Sequence, residues 1–157
     1  MAEIVVARAA APTAEVAALI GELNDELAAL YTPEQRHGLA LEALFQPHVR
    51  FFVAWRDGRP LGCAGVAFLD GFAEVKRMYV RAEARGKGIA EALMDRLART
   101  AQEAGLHRLK LETGDRQQAA IRFYARCGFE ICGAFEPYAA MPPENIATSV
   151  FMAKTLV

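Results

Sequence analysis

The chain has 157 residues, 54% of them apolar and 24% charged, with a formal net charge of −1. That length and apolar share suit one domain, 1–157, with a sizeable core, and a charge near zero implies neither nucleic acid nor an anionic membrane as an electrostatic partner. Cys63, Cys127 and Cys132 form neither a disulfide framework nor a metal-ligand spacing, which points to a cytoplasmic protein with reduced thiols and no metal.

The start, MAEIVVARAA, has no basic region ahead of its apolar residues and reads as a first strand over Ile4 to Ala7, not as a signal peptide. After Pro12 and Thr13, a helix is expected over Ala14 to Leu30, with Val16, Leu19, Ile20, Leu23, Leu27 and Leu30 as its apolar stripe. Thr32-Pro33-Glu34-Gln35 has the form of a capping box, predicting a second helix to about Phe45. The connection between these helices, with Tyr31, Glu34, Arg36 and His37, is a candidate rim for an acceptor pocket or an ordinary solvated loop. Arg50 to Arg56 and Leu61 to Leu69 read as a hairpin about Asp57-Gly58, and Asp70-Gly71 turns the chain into a strand from Phe72 to Val80. No run approaches the roughly 20 apolar residues of a spanning helix.

The next stretch, Arg85-Gly86-Lys87-Gly88-Ile89-Ala90, opens a long helix whose Ile89, Leu93, Leu97 and Ala101 recur every four residues. Two glycines let a ligand approach the backbone, and the helix start presents unpaired N–H groups and about half a positive charge, an anion seat. A Walker-type loop is excluded because Gly88 stands where that motif needs Ser or Thr after Gly-Lys. A dinucleotide fingerprint needs Gly or Ala where Glu91 stands, although Glu112 could serve as its ribose ligand. A strand-to-helix turn that uses glycine only for close packing is the plain alternative.

Gly105 ends that helix, Arg108 to Glu112 follows as a parallel strand, and a helix from Gln117 to Cys127 ends at Gly128. Phe129 to Phe135 is extended, Pro137, Pro142 and Pro143 mark a loop, and Ser149 to Ala153 closes as a last strand. An antiparallel meander followed by a βαβα unit gives a mixed α/β sheet with helices on both faces.

Arg85, Gly88 and Ala90 match Gln/Arg-x-x-Gly-x-Gly/Ala, and Ala120 to Phe129, AIRFYARCGF, carries a tyrosine on a helix that ends at Gly-Phe. Together these resemble the two signatures of the GNAT superfamily of acetyl-CoA-dependent N-acetyltransferases, over about residues 61 to 132. LETG (111–114) and SVFM (149–152) resemble a subgroup of small bacterial members. The resemblance implies a mostly antiparallel sheet of six to seven strands whose central parallel pair splays to admit acetyl-pantetheine. It also implies a diphosphate seat on Arg85, Gly86, Lys87, Gly88, Ile89 and Ala90, with main-chain groups of Met78, Tyr79 and Val80 holding the thioester oxygen and pantetheine. Gln117 falls where many members carry Asn on the pantetheine arm.

Acetyl transfer to an amine raises two proton problems. An alkylammonium must lose a proton, at a cost of about 4–5 kcal/mol at neutral pH, and the departing thiolate needs a donor. Tyr124 occupies the position of the superfamily's acid. For the base, Glu112 at the carboxyl edge of its strand and Glu74 both qualify, with an ordered water as a third option; the plain reading of each carboxylate is an ion pair with Lys76, Arg77 or Lys110. Strand alternation sets Glu74 with Lys76, Met78 and Val80 on one face, and Lys76 and Arg77 on opposite faces. Arg77 and Tyr31 are candidates for the acceptor, Arg77 by holding a carboxylate. Phe123, Cys127 and Cys132 read as core, and His37, His48 and His107 carry no assigned chemistry. The expected protein is a cytoplasmic enzyme acetylating a small-molecule amine, with a homodimer as a candidate assembly. A CoA-binding sensor without turnover and a protein or peptide N-acetyltransferase are the alternatives.

Overall fold

The computed structural model describes residues 2–157. These form seven strands, β1 (Val5–Ala9), β2 (Val49–Arg56), β3 (Arg59–Phe68), β4 (Ala73–Val80), β5 (Arg108–Gly114), β6 (Glu130–Cys132) and β7 (Ser149–Thr155), with three helices, α1 (Ala14–Ala28), α2 (Ile89–Glu103) and α3 (Gln118–Arg126). The strands make one sheet in the order β1-β2-β3-β4-β5-β7-β6. Every pairing is antiparallel except β4 with β5.

Alternation along the strands divides the core between two faces. Phe51 and Val53 of β2 meet Val16, Leu19, Ile20 and Leu23 of α1. Phe52 and Ala54 point the other way, into a larger cluster with Ile89, Leu93, Leu97 and Ala101 of α2 and Tyr124 of α3. All four residues of the α2 stripe are at most 1% exposed, and each of its larger members contributes about 1.5–3 kcal/mol by burial. Local signals agree with these elements. Thr13 Oγ1 accepts from the Val16 N–H to cap α1, and Asp57 and Gly58 both have positive φ, as a two-residue hairpin turn requires.

The parallel pair is joined only at Ala73 with Leu109 and Glu74 with Lys110. Beyond that, β4 continues along β3 while β5 continues along β7. The central strands therefore splay, as the resemblance implied, and a cleft of about 510 Å³ opens between them.

Two expectations need correction. Residues 32–45 do not form a helix: Pro33–Gln35 and Leu41–Phe45 are separate 3₁₀ turns. The capping box is present, with Gln35 Oε1 accepting from Thr32 N at 2.9 Å. A helix cannot continue from it, because Arg36-His37-Gly38 supplies no apolar stripe and Gly38 lies under the Arg77 side chain. The second correction concerns β4. Its register against β3 shifts between Cys63 and Gly65, so that Arg77 and Met78 together oppose one residue, a bulge with Arg77 at φ 54°. The extra residue reverses the alternation. Val75, Met78 and Val80 face α2, whereas Tyr79 packs with α1 residues and Arg77 donates to Asn24 of α1. Glu74 therefore does not share a face with Met78 and Val80, and Lys76 and Arg77 do not point to opposite faces.

Candidate active site

At one end of the cleft lies the glycine loop. Arg85 closes a 3₁₀ turn over Ala82–Ala84, Gly86 and Gly88 take φ values of 76° and 87°, and α2 begins at Ile89. Gly88 is the N-cap and has no side chain with which to cap. Among the described residues, the main-chain N–H groups of 86–91 have no acceptor. A β-carbon at Gly86 would meet nothing within 4 Å, so a ligand can reach that row of donors. An anion such as a diphosphate fits it, through the backbone donors and the helix dipole together. Ile89 is buried in the core and can contribute only its N–H; Lys87 is exposed. The Arg85 side chain is engaged elsewhere, donating to Val80 O at 2.9 Å and to the Glu26 carboxylate at 2.7 Å. Arg81 pairs in the same way with Glu22, so α1 holds both flanks of the loop.

Tyr124 is positioned by the end of its own helix. Phe129 N–H donates to Tyr124 O and Gly128 N–H to Ala125 O, the paired bonds of a Schellman turn with Gly128 at φ 97°. The turn folds Phe129 back onto the Tyr124 ring at 5.9 Å. The ring lines the cleft, and its hydroxyl makes no hydrogen bond among the described residues. Burial, with smaller contributions from Cys127 and Glu112, raises the phenol well above its ordinary value. It is therefore a protonated donor with no internal acceptor. Phe123, expected in the core, packs against it and also lines the cleft. Gln117 lines it too, at the N-cap of α3.

The two carboxylates differ. Glu74 is 3% exposed; its Oε2 accepts from Lys76 Nζ at 3.2 Å and from the Tyr138 hydroxyl. Lys76 Nζ also donates to Tyr138 Oη at 3.0 Å, which closes a buried triangle. Glu112 lies within β5, which runs two residues further than expected, and accepts from Ser149 Oγ at 2.7 Å; it has no lysine or arginine at ion-pair distance among the described residues. Burial raises its pKa above the usual carboxylate range, opposed by the Ser149 bond, His37 and Lys76 and reinforced by Glu74. A carboxylate in that state is a better base than an exposed one.

The remaining wall comes from Tyr31, Gln35, Arg36, His37, Arg77 and Tyr138. Tyr31 Oη accepts from Arg116 N at 2.8 Å, holding the loop after β5. His37 shares a 2.7 Å hydrogen bond between Nε2 and Asn145 O and lies edge-on to Tyr138, so it joins the 3₁₀ segment to the 136–146 loop. His37 belongs to the rim expected from the sequence, Ser149 is expected only as the start of the SVFM strand, and the sequence points to no role for Tyr138. Glu74 and Tyr138 are 64 residues apart and Glu112 and Ser149 are 37 apart, separations that leave no local pattern to read. Met78, Tyr79 and Val80 line the opposite flank, with the Tyr79 hydroxyl donating to Glu22 at 3.1 Å. Among the described residues, no group of three or more His, Cys, Asp or Glu could hold a metal ion, and no helix is long and apolar enough to cross a membrane.

The acetyltransferase (GNAT) family profile matches residues 17–129. An IAA acetyltransferase of Azospirillum brasilense is 40% identical over 99% of this chain and 100% of its own length. Among solved structures, one named as an acyl-CoA N-acyltransferase from Klebsiella pneumoniae superposes with a TM-score of 0.79 at 31% identity over 98% of each chain. The PaiA N-acetyltransferase of Thermoplasma acidophilum, in complex with coenzyme A, shares the fold with a TM-score of 0.71 at 14% identity, over 98% of this chain and 99% of its own. The profile match across most of the sequence and the full-length relative agree with the splayed sheet and glycine loop: the chain belongs to the GNAT family of acetyltransferases, acyltransferases that use acetyl-CoA.

Proposed function

We propose that this enzyme transfers acetyl directly to a primary amine of a small molecule, with Glu112 as base and Tyr124 as acid. The observation that carries the reading is the convergence on one cleft of two unsatisfied donors, the N–H row at 86–91 and the Tyr124 hydroxyl, with a Glu112 carboxylate that has no cationic partner. The N–H row suits the diphosphate of coenzyme A, with Gln117 and the open edge of β4 at Met78 to Val80 beside the pantetheine arm. Acetyl-CoA supplies the acyl group as a thioester, and sulfur leaves with the electron pair of the broken C–S bond.

The chain's own residues handle the protons. Glu112 takes one from the acceptor ammonium, directly or through water, as the nitrogen bonds to the acyl carbon; its raised affinity for a proton matches that task. Tyr124 delivers one where the sulfur departs, and the second proton that the nitrogen sheds on becoming an amide restores the phenol. Glu74 is disfavoured as base because Lys76 and Tyr138 already engage it. Arg77, on the Glu112 side of the sheet, and the aromatic wall of Tyr31 favour an acceptor that carries a carboxylate.

The test is thiol release from acetyl-CoA with a panel of amines, amino acids and peptides, and with IAA because of the Azospirillum relative, read together with the mass gain of one acetyl group on the acceptor. Turnover on a small amine supports the reading. Acetylation confined to peptides, or tight coenzyme binding with no thiol release on any acceptor, overturns it.

A further inference from the structure

We propose that Arg36 and Arg77 form a two-guanidinium seat for an oxyanion on the acceptor, which makes the enzyme selective for zwitterionic amines of the amino-acid class over simple amines and polyamines. This rests on the N-acetyltransferase reading above.

Both side chains line the cleft. Four other cationic residues lie at or beside it: Lys76, Arg81 and Arg85 each have a carboxylate at 2.7–3.2 Å, and Arg126 lies over the Phe123 ring on the α3 flank. Arg36 and Arg77 have none among the described residues. Arg36 uses only Nε, on Thr32 O at 3.4 Å. Arg77 uses Nη2 on the neutral amide oxygen of Asn24, and its buried Nε has no hydrogen-bond partner. The Arg77 guanidinium lies against Gly38, two residues after Arg36, so both cations belong to one stretch of the wall. Arg77 is less basic than usual, mainly through burial, with the like charge of Arg36 adding to it. Two half-buried cations on one wall without a counter-ion are unfavourable, and a bound anion relieves that cost through charge-assisted, fork-shaped hydrogen bonds.

The backbone makes a second and separate concession to Arg77. A non-glycine residue at φ 54° is strained, and the bulge that imposes it turns the guanidinium towards the acceptor side. Opposite it stands Gly38, where a β-carbon would collide with Arg77 Nη1. Strain, a glycine and an unmet charge all centre on one side chain. The cleft also holds the complementary charge: Glu112 accepts only from Ser149, leaving it free to receive an ammonium. A zwitterion satisfies both poles, whereas a polyamine sets its second cation against the guanidinium pair.

The experiment measures kcat/KM at saturating acetyl-CoA for each α-amino acid against its decarboxylated amine and its amide, with aminoalkylphosphonates as a further arm. The expected wild-type preference for the anionic acceptor is about 10–100-fold, from one charged hydrogen-bonding interaction. Arg36→Gln should reduce that ratio towards one by raising KM for the anionic acceptor, and Arg36→Lys should recover part of it. Isothermal titration of the N-acetyl amino acid, without coenzyme, should show binding lost in Arg36→Gln and partly kept in Arg36→Lys. The phosphonate arm tells which oxyanion the seat prefers, and preference for either over the neutral amine supports it. Equal use of amine and amino acid, or an unchanged ratio in Arg36→Gln, overturns the seat. If no acceptor is acetylated, the transfer reading fails, and the titration still decides the seat.

Discussion

Lys76→Met should be among the most destabilising single substitutions in this protein. Lys76 and Glu74 are 8% and 3% exposed, and Tyr138, which bonds both, is 2% exposed. Removing the ammonium leaves a buried carboxylate with one phenol as its partner. Breaking a buried pair from one side costs about 3–5 kcal/mol. For a chain of this size, each kcal/mol moves Tm by about 2–4 °C, so the expected fall is about 6–20 °C. The triple variant Glu74→Leu, Lys76→Met, Tyr138→Phe removes the whole polar triangle and should recover to within about 2 kcal/mol of wild type, since replacing all partners with apolar groups is often neutral. Urea titration followed by circular dichroism measures both. The same set separates the carboxylates by role. If Glu74 is structural, the triple variant keeps turnover within several-fold. Loss of less than about 1 kcal/mol in Lys76→Met, or a triple variant as unstable as the single one, would refute the buried-triangle account.

Glu112→Gln should lower kcat by about 10²–10⁴-fold. It should also raise Tm at pH 8 but not at pH 4. The Glu112 pKa lies above its unfolded value, so the native state binds more protons between the two and stability falls as pH rises through that window. Glutamine, which carries no charge to bury, escapes that loss. Tyr124→Phe should lower kcat while leaving KM for acetyl-CoA nearly unchanged; equal loss in both would make the phenol a binding group. Gly88→Ala keeps ordinary contacts, its β-carbon 3.7 Å from Ile4, but forces alanine to φ 87° at a cost of about 1–2 kcal/mol. Calorimetry should show coenzyme affinity reduced, and unchanged affinity with unchanged Tm would count against the strained seat.

Where the cleft is built from a contiguous run, the sequence is legible. RGKGIA announces the N–H row, YARCGF the turned-back tyrosine, and Asp57-Gly58 the hairpin. Regular alternation was legible only as far as it stayed regular. One inserted residue at Arg77 reversed the sides of β4, and nothing in EVKRMYV distinguishes a bulge from a straight strand, because the bulge is a property of the pairing with β3. The turns at 33–45 differ from the expected helix for a related reason: a capping box marks a start, but continuation depends on what packs above, here the guanidinium over Gly38. Tyr138 reaches the cleft, and Ser149 reaches Glu112, through tertiary contacts alone.

The splay between β4 and β5 has a further consequence. After Glu74, β4 has a neighbour on one side only, so the middle of a seven-stranded sheet contains a stretch with the hydrogen-bonding appetite of a border strand. Water can meet that appetite loosely, and an extended molecule bearing amides can meet it in register. Such a guest becomes a temporary eighth strand, and the sheet is continuous only while the guest is present.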